Sequence, residues 1–182
     1  MGRKLKYHEQ KLLKKTNLYQ WRKENNVRMG DVMARFGLES TEEYHDYNRL
    51  AGKINSLTNF IRQMDPDDKV RISITKQFVD RLFNLGIINS PTLSECEKVT
   101  VSHICRRRFA AVLVYLNFCQ KISDADRYIR QGHVRIGPNV ITNPAMLVST
   151  DMEDYIGWAH GSKIQAHVQQ YNDTFDDFDN LE

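Results

Sequence analysis

Apolar positions along this chain repeat at helical spacing over most of its length and change to strand alternation in one short stretch. Tyr47, Leu50, Ile54, Leu57, Ile61 and Met64 step by three and four, which lays them along one face of a helix. Ser40-Thr41-Glu42-Glu43 precedes them as a capping box, the hydroxyl accepting an orphan N–H and the carboxylate reaching back to the cap. Asp65-Pro66-Asp67-Asp68 ends that helix, because proline lacks the donor and its ring clashes with the preceding turn. Ile74, Phe78, Leu82 and Leu85 mark another helix, stopped by Gly86. Upstream, residues 3–15 read as a basic helix or arm with a thin apolar edge of Leu5, Leu12 and Leu13. Residues 17–36 read as helical in pieces, anchored by Trp21 and Val27. Core packing within one molecule is the more common fate of a single stripe such as 47–64. A coiled coil with a partner is the alternative.

The second half changes character. Cys105, Phe109, Val112, Leu116 and Cys119 step by four and three, predicting one helix capped by Ser102, with Arg106 and Arg107 away from the stripe and Arg108 at its edge. In the next helix Ala125, Tyr128 and Ile129 share one face and Arg127 and Arg130 the other. Ser123 caps it, and Gly132 ends it as a left-handed residue. His133-Val134-Arg135-Ile136 alternates as a half-buried strand does, Val134 and Ile136 inward, His133 and Arg135 outward. Gly137-Pro138-Asn139 turns it into Val140-Ile141. A short strand is expected at 146–148 and weak helix over 151–170, packed through Tyr155, Trp158 and Ile164. The last dozen residues hold little apolar mass beyond Phe175 and Phe178 and read as loosely ordered. The fold class this predicts is α+β and mainly helical. A basic N-terminal arm and helix (1–28) and a helical region (29–98) precede two short helices packed on a small β-sheet (99–150). A helical extension with an acidic tail (151–182) closes the chain.

Charge sharpens the picture because it is uneven. The chain carries 26 Lys and Arg against 23 Asp and Glu, a net +3. Residues 106–148, however, hold seven basic side chains against two acids, and residues 1–28 hold nine against two. Residues 171–182 hold five acids and no Lys or Arg. A basic head and an acidic tail point to different partners at the two ends, or to two solvated termini. No apolar run approaches the roughly 18 residues that suggest a membrane span, and the charged N-terminus is unlike a secretory signal. Cys96, Cys105 and Cys119 lack C-x-x-C spacing and read as reduced, mostly buried thiols. A zinc site from them, even with His103 nearby, would lack the clustering such sites need.

Candidate chemistry follows from the local excess. Arg106, Arg107, Arg108, Lys121, Arg127, Arg130, His133 and Arg135 are the expected nucleic-acid contacts, on one continuous surface. The guanidinium fork bonds phosphate bidentately and stacks on bases. His133 is read as a hydrogen-bonding or stacking group without a proton-transfer role. The plainer reading of three adjacent arginines is a solvated face. In the arm, Arg3, Lys4, Lys6, Lys11, Lys14 and Lys15 are the expected contacts to RNA or a partner, ordered on binding because short isolated helices are marginal in water. There is no phosphate loop, dinucleotide fingerprint, zincin motif or nucleophile elbow. Neither an enzyme nor a cofactor nor a metal is expected.

Arg106-Arg107-Arg108-Phe109, Ser123-Asp124-Ala125 and Tyr128 through Gly137 together resemble the S4 RNA-binding domain. The flanks (Arg3 to Lys15, Met152-Glu153-Asp154-Tyr155 and Asp176-Asp177-Phe178-Asp179) extend the resemblance over nearly the whole chain. They are similar to the S4-like family of the U3 small nucleolar ribonucleoprotein. The resemblance implies a nucleolar RNA-binding assembly factor of the small-subunit processome that helps the U3 snoRNA pair with pre-18S rRNA. Its implied partners include the processome's phosphoprotein scaffold. A structural ribosomal protein of the S4 family is the alternative. The modest overall basicity and acidic tail weigh against it, since like charge repels phosphate.

Overall fold

The structure, a computed structural model, describes residues 3–15 and 23–173, without the side chains of 23–26. The expected anchor Trp21 and the acidic tail from residue 174 onward lie outside the described residues. Helix α1 (Tyr7–Lys15) is started by Glu9, whose carboxylate accepts the Lys6 N–H at 2.8 Å, and none of its residues is buried. Helix α2 (Lys23–Phe36) packs through Val32, Met33 and Phe36. Val27, the expected anchor, is exposed.

Helix α3 (Thr41–Gln63) begins where the capping sequence places it, Ser40 Oγ accepting from the N–H groups of Glu42 and Glu43 at 3.1 and 3.2 Å. Its buried line is Ala51, Ile54, Thr58 and Ile61, so the expected stripe is rotated by a fraction of a turn: Leu50 and Leu57 remain about 40% exposed. The small side chains of Ala51 and Thr58 face the neighbouring helices, and the Thr58 hydroxyl is satisfied by donating to Ile54 O at 2.8 Å. Helix α4 (Lys69–Asn84) is capped by Asp68 and ends at Gly86, with φ +66°. There the Gly86 N–H donates to Phe83 O and the Ile87 N–H to Leu82 O, the paired bonds that close a helix on a left-handed glycine. Ile54, Val79, Leu82, Ile87, Ile88, Cys96 and Val99 form the core between α3, α4 and the short α5 (Leu93–Glu97).

The expected single helix from Ser102 is two. Helix α6 (Val101–Cys105) is capped by Thr100, α7 (Phe109–Tyr115) starts again after Arg108, and Arg108 itself is extended. The interruption is a backbone pairing with the segment expected as a strand. The Phe109 N–H donates to Met146 O, the Val148 N–H donates to Arg107 O, both at 2.8 Å, and Arg108 bridges Leu147. Periodicity survives the break because Cys105, Phe109 and Val112 still point into the core, which is why spacing alone did not reveal it.

Helix α8 (Ile122–Arg130) packs on α7 through Ala125 and Ile129. Its N-cap is Lys121, with Ser123 already inside the first turn. At the other end Gly132, at φ +75°, repeats the left-handed closure. Strand β1 (Val134–Ile136) is the centre of a three-stranded antiparallel sheet, between β2 (Asn139–Val140) and β3 (Ile156–Trp158). β3 lies within the stretch expected to be helical. Only α9 (Thr150–Glu153) and α10 (Lys163–Tyr171) of that stretch are helices. A three-residue apolar strand is too short to separate from a helical segment by periodicity, and its pairing with β1 decides it. Trp158 packs on Phe118 and Tyr128, whereas Tyr155 is exposed. The fold is α+β and mainly helical, as the sequence pattern predicts.

Candidate nucleic-acid interface

The eight expected contact residues divide into two groups. Arg106, Lys121, Arg127 and Arg130 are exposed. Among the described residues Arg106 and Lys121 make no ion pair, and Arg127 meets Asp124 only at 3.8 Å. Arg130 is held by Asp126, Nε to Oδ2 at 2.9 Å, and by Glu39, and these carboxylates raise its pKa further. Arg127 and Arg130 lie on the side of α8 away from buried Ala125 and Ile129, and exposed Lys121 stands at its N-cap. The first turn of α8 is also the positive end of a helix dipole, and Lys121 caps it without a side-chain hydrogen bond.

The other four are not on a free surface, and the expectation of one continuous basic face is corrected for them. Arg108 is only 2% exposed. Its Nη1 donates to Glu43 Oε2 at 2.9 Å and to Tyr47 Oη at 3.0 Å, with the guanidinium 5.9 Å from the Tyr47 ring centre. The extended backbone at Arg108, forced by the bridge to Leu147, turns its side chain toward α3. Burial raises the Tyr47 pKa even though Arg108 pulls it down. Arg107, its side chain 13% exposed, donates from Nε and Nη2 to Val148 O at 3.0 and 2.8 Å and pairs with Glu153 at 2.5 Å. Arg135 donates to Trp158 O at 2.9 Å and Gly137 O at 2.7 Å. Facing it across the sheet is Gly157, which has no side chain to compete for that space. His133 is half-buried, its Nδ1 3.0 Å from Ser162 Oγ. The alternation at 133–136 is right, Val134 being buried, but the loop after β3 covers His133, and the carbonyls of Trp158 on β3 and of Gly137 after β1 hold Arg135.

Sequence reasoning missed the groups that capture these arginines, Glu43, Glu153 and the carbonyls of Val148, Trp158 and Gly137, and also Glu39 beside Arg130. The Arg108–Glu43 pair spans 65 residues, and no local pattern announces such a partner. The arm keeps Lys4, Lys6, Lys11, Lys14 and Lys15 exposed, while Arg3 pairs with Glu9 at 2.6 Å. Burial pushes the Cys105 and Cys119 thiols up to about 11, so both are protonated and unreactive near neutral pH. Among the described residues no three His, Cys, Asp or Glu side chains are grouped to hold a metal ion, and no helix is long and apolar enough to cross a membrane.

Two family patterns divide the chain between them. The ribosomal protein S4/S9 N-terminal domain matches residues 4–106 and the S4 domain residues 107–154. The chain is 42% identical to the U3 small nucleolar ribonucleoprotein protein IMP3 of Saccharomyces cerevisiae, over 98% of this chain and 99% of that protein. The chain belongs to the IMP3 family. Human IMP3 is 40% identical over 98% of both chains. The chain is also 28% identical to the small ribosomal subunit protein uS4 of Hyperthermus butylicus, over 82% of this chain and 88% of that protein.

Proposed function

We propose that this protein is a non-catalytic RNA-binding assembly factor of the small-subunit processome, acting in the nucleolus on the U3 snoRNA and pre-18S rRNA. The processome's phosphoprotein scaffold is a protein partner in this reading. Its main support is full-length similarity to proteins named as U3 small nucleolar ribonucleoprotein components, across both the N-terminal S4/S9 and the S4 regions. What supports an RNA contact at α8 is its exposed basic side chains. There Lys121, Arg127 and Arg130 stand exposed at the start, middle and end of one helix, a spacing suited to successive phosphates. Arg106 adds a further cation. Arg107, Arg108, His133 and Arg135 are held by partners within the protein and are not counted among these contacts. The α1 arm, with no buried residue and five exposed lysines, supplies a second cationic element that can shield a second strand during pairing.

Four neutralised phosphates give a log–log slope of binding against salt of about −3 to −4. Lys121→Ala with Arg127→Ala should flatten that slope by roughly 1.5 to 2 for a U3 snoRNA transcript, leaving the thermal melt unchanged, since both side chains are exposed. A slope unmoved by the pair would place the RNA elsewhere on the molecule. Annealing of the snoRNA transcript to a pre-rRNA segment, measured with and without residues 1–15, tests the arm. Equal annealing rates would remove it from the mechanism.

A further inference from the structure

A groove of about 690 Å³ runs between the end of α4, α2 and α7, outside the α8 surface. That volume is within the range of sites for small organic groups. Its floor is apolar, with Phe36, Ile88 and Val112 buried. Two aromatic rings line it while still facing solvent, Phe83 at 43% and Tyr115 at 76% exposure. Neither ring has an aromatic or cationic partner within the described residues. Two exposed arginines line it as well, Arg106 and Arg35, the latter with its guanidinium 5.6 Å from the Phe36 ring centre, and among the described residues neither pairs with a carboxylate. The single acid in the lining, Glu153, is already neutralised by Arg107 at 2.5 Å. The groove therefore offers exposed positive charge and open aromatic faces, and its lining holds no acid besides the paired Glu153.

We propose that this groove takes unpaired nucleobases of an RNA single strand, stacked on Tyr115 and Phe83, with Arg35 and Arg106 on the flanking phosphates. This extends the RNA-binding reading above and rests on it. Every base has a π-face, so aromatic platforms set among cations hold a strand without reading its sequence. Arginine adds both phosphate bonding and stacking. An apolar peptide would need a continuous exposed apolar strip, and here the exposed apolar groups are two separated rings flanked by guanidinium groups. The groove also adjoins the α8 surface: Ile122, the first residue of α8, lines it, and the preceding residue is exposed Lys121. A strand whose backbone follows α8 can thus turn its next bases into the groove. For a protein that assists pairing, such a site would hold one strand with its bases splayed and separate until the complement arrives.

The test uses the full chain and a fluorescein-labelled 12-nucleotide oligouridine, alongside the same backbone carrying abasic positions. Tyr115→Ala and Phe83→Ala should each weaken binding of the base-bearing strand about 5- to 100-fold and leave the abasic strand unaffected. Tyr115→Phe and Phe83→Tyr should restore the affinity, because either ring stacks. Lys121→Ala should instead weaken both strands alike. If both alanine variants bind oligouridine as the parent does, the proposal is wrong, while loss with Lys121→Ala would keep the α8 surface. Parent protein that binds an RNA duplex but not the single strand would overturn the groove alone. Parent protein that binds no RNA would remove both readings. Melting curves show whether each variant is folded, and the conservative ring exchanges carry the test should an alanine variant fail.

Discussion

Replacing Arg108 is the sharpest perturbation, because its two readings predict opposite results. As an RNA contact its loss would cost affinity and spare the fold. As the buried partner of Glu43 and Tyr47 its loss should cost the fold. Breaking a fully buried ion pair by removing one partner destabilises by about 3–5 kcal/mol, mostly because a charge is left without compensation. Here the stranded charge would be Glu43, whose side chain keeps 33% of its exposure and can recover part of its hydration. Arg108 Nε is also buried without a partner, so removing it relieves a cost of about 1–3 kcal/mol. Lost packing around an interior side chain offsets some of that relief. The net expectation for Arg108→Ala is a destabilisation of about 2–3 kcal/mol. At about 2–4 °C per kcal/mol for a chain of this size, the Tm should fall by roughly 4–12 °C. The salt slope of RNA binding should be unchanged below the transition. A double-mutant cycle with Glu43→Gln isolates the pair, with an expected coupling of about 1–3 kcal/mol. A melt within about 1 °C of the parent together with a slope flattened by about one would refute the reasoning and return Arg108 to the RNA surface.

Two further outcomes follow from geometry at other helix ends. Gly86→Ala should lower the urea midpoint by the equivalent of about 2–3 kcal/mol. A left-handed backbone costs an alanine about 1–2 kcal/mol, and its Cβ would lie 2.8 Å from the Arg107 guanidinium, itself pinned to Val148 O and Glu153. An unchanged midpoint would mean that this closure is not under the strain inferred. His103 accepts from the Thr100 N–H at 3.3 Å and lies 2.9 Å from the Thr100 hydroxyl, and burial and then Arg106 lower its pKa. Its folded value is thus below the unfolded one near 6.5. The unfolded state binds the proton more readily, so this contribution is present above about pH 6.5 and is lost as the pH falls below it. His103→Gln should therefore shrink the drop in Tm between pH 7.5 and 5.5, and an identical drop in both proteins would exclude His103 as its source.

What the sequence determined by itself was largely local. Ser40 starts α3, Gly86 and Gly132 close α4 and α8, and Val134 points inward. Each rests on the conformational preference or hydrogen bond of a residue with its near neighbours in the chain. The resemblance carried by residues 106–137 likewise needed no coordinates. The fate of the arginines required the tertiary structure. Helical phase put Arg106, Arg107 and Arg108 on or near a surface, yet the pairing of 107–109 with 146–148 bends the chain between α6 and α7. That bend sends Arg108 into α3 and Arg107 against Val148 and Glu153, leaving Arg106 outside. Strand β3, on the far side of β1, settles Arg135 and His133 in the same way. Guanidinium groups go where carboxylates and carbonyls converge on them. Those acceptors arrive here from 41 to 65 residues away for Arg107 and Arg108, a distance that residue spacing cannot span and that only packing brings to contact.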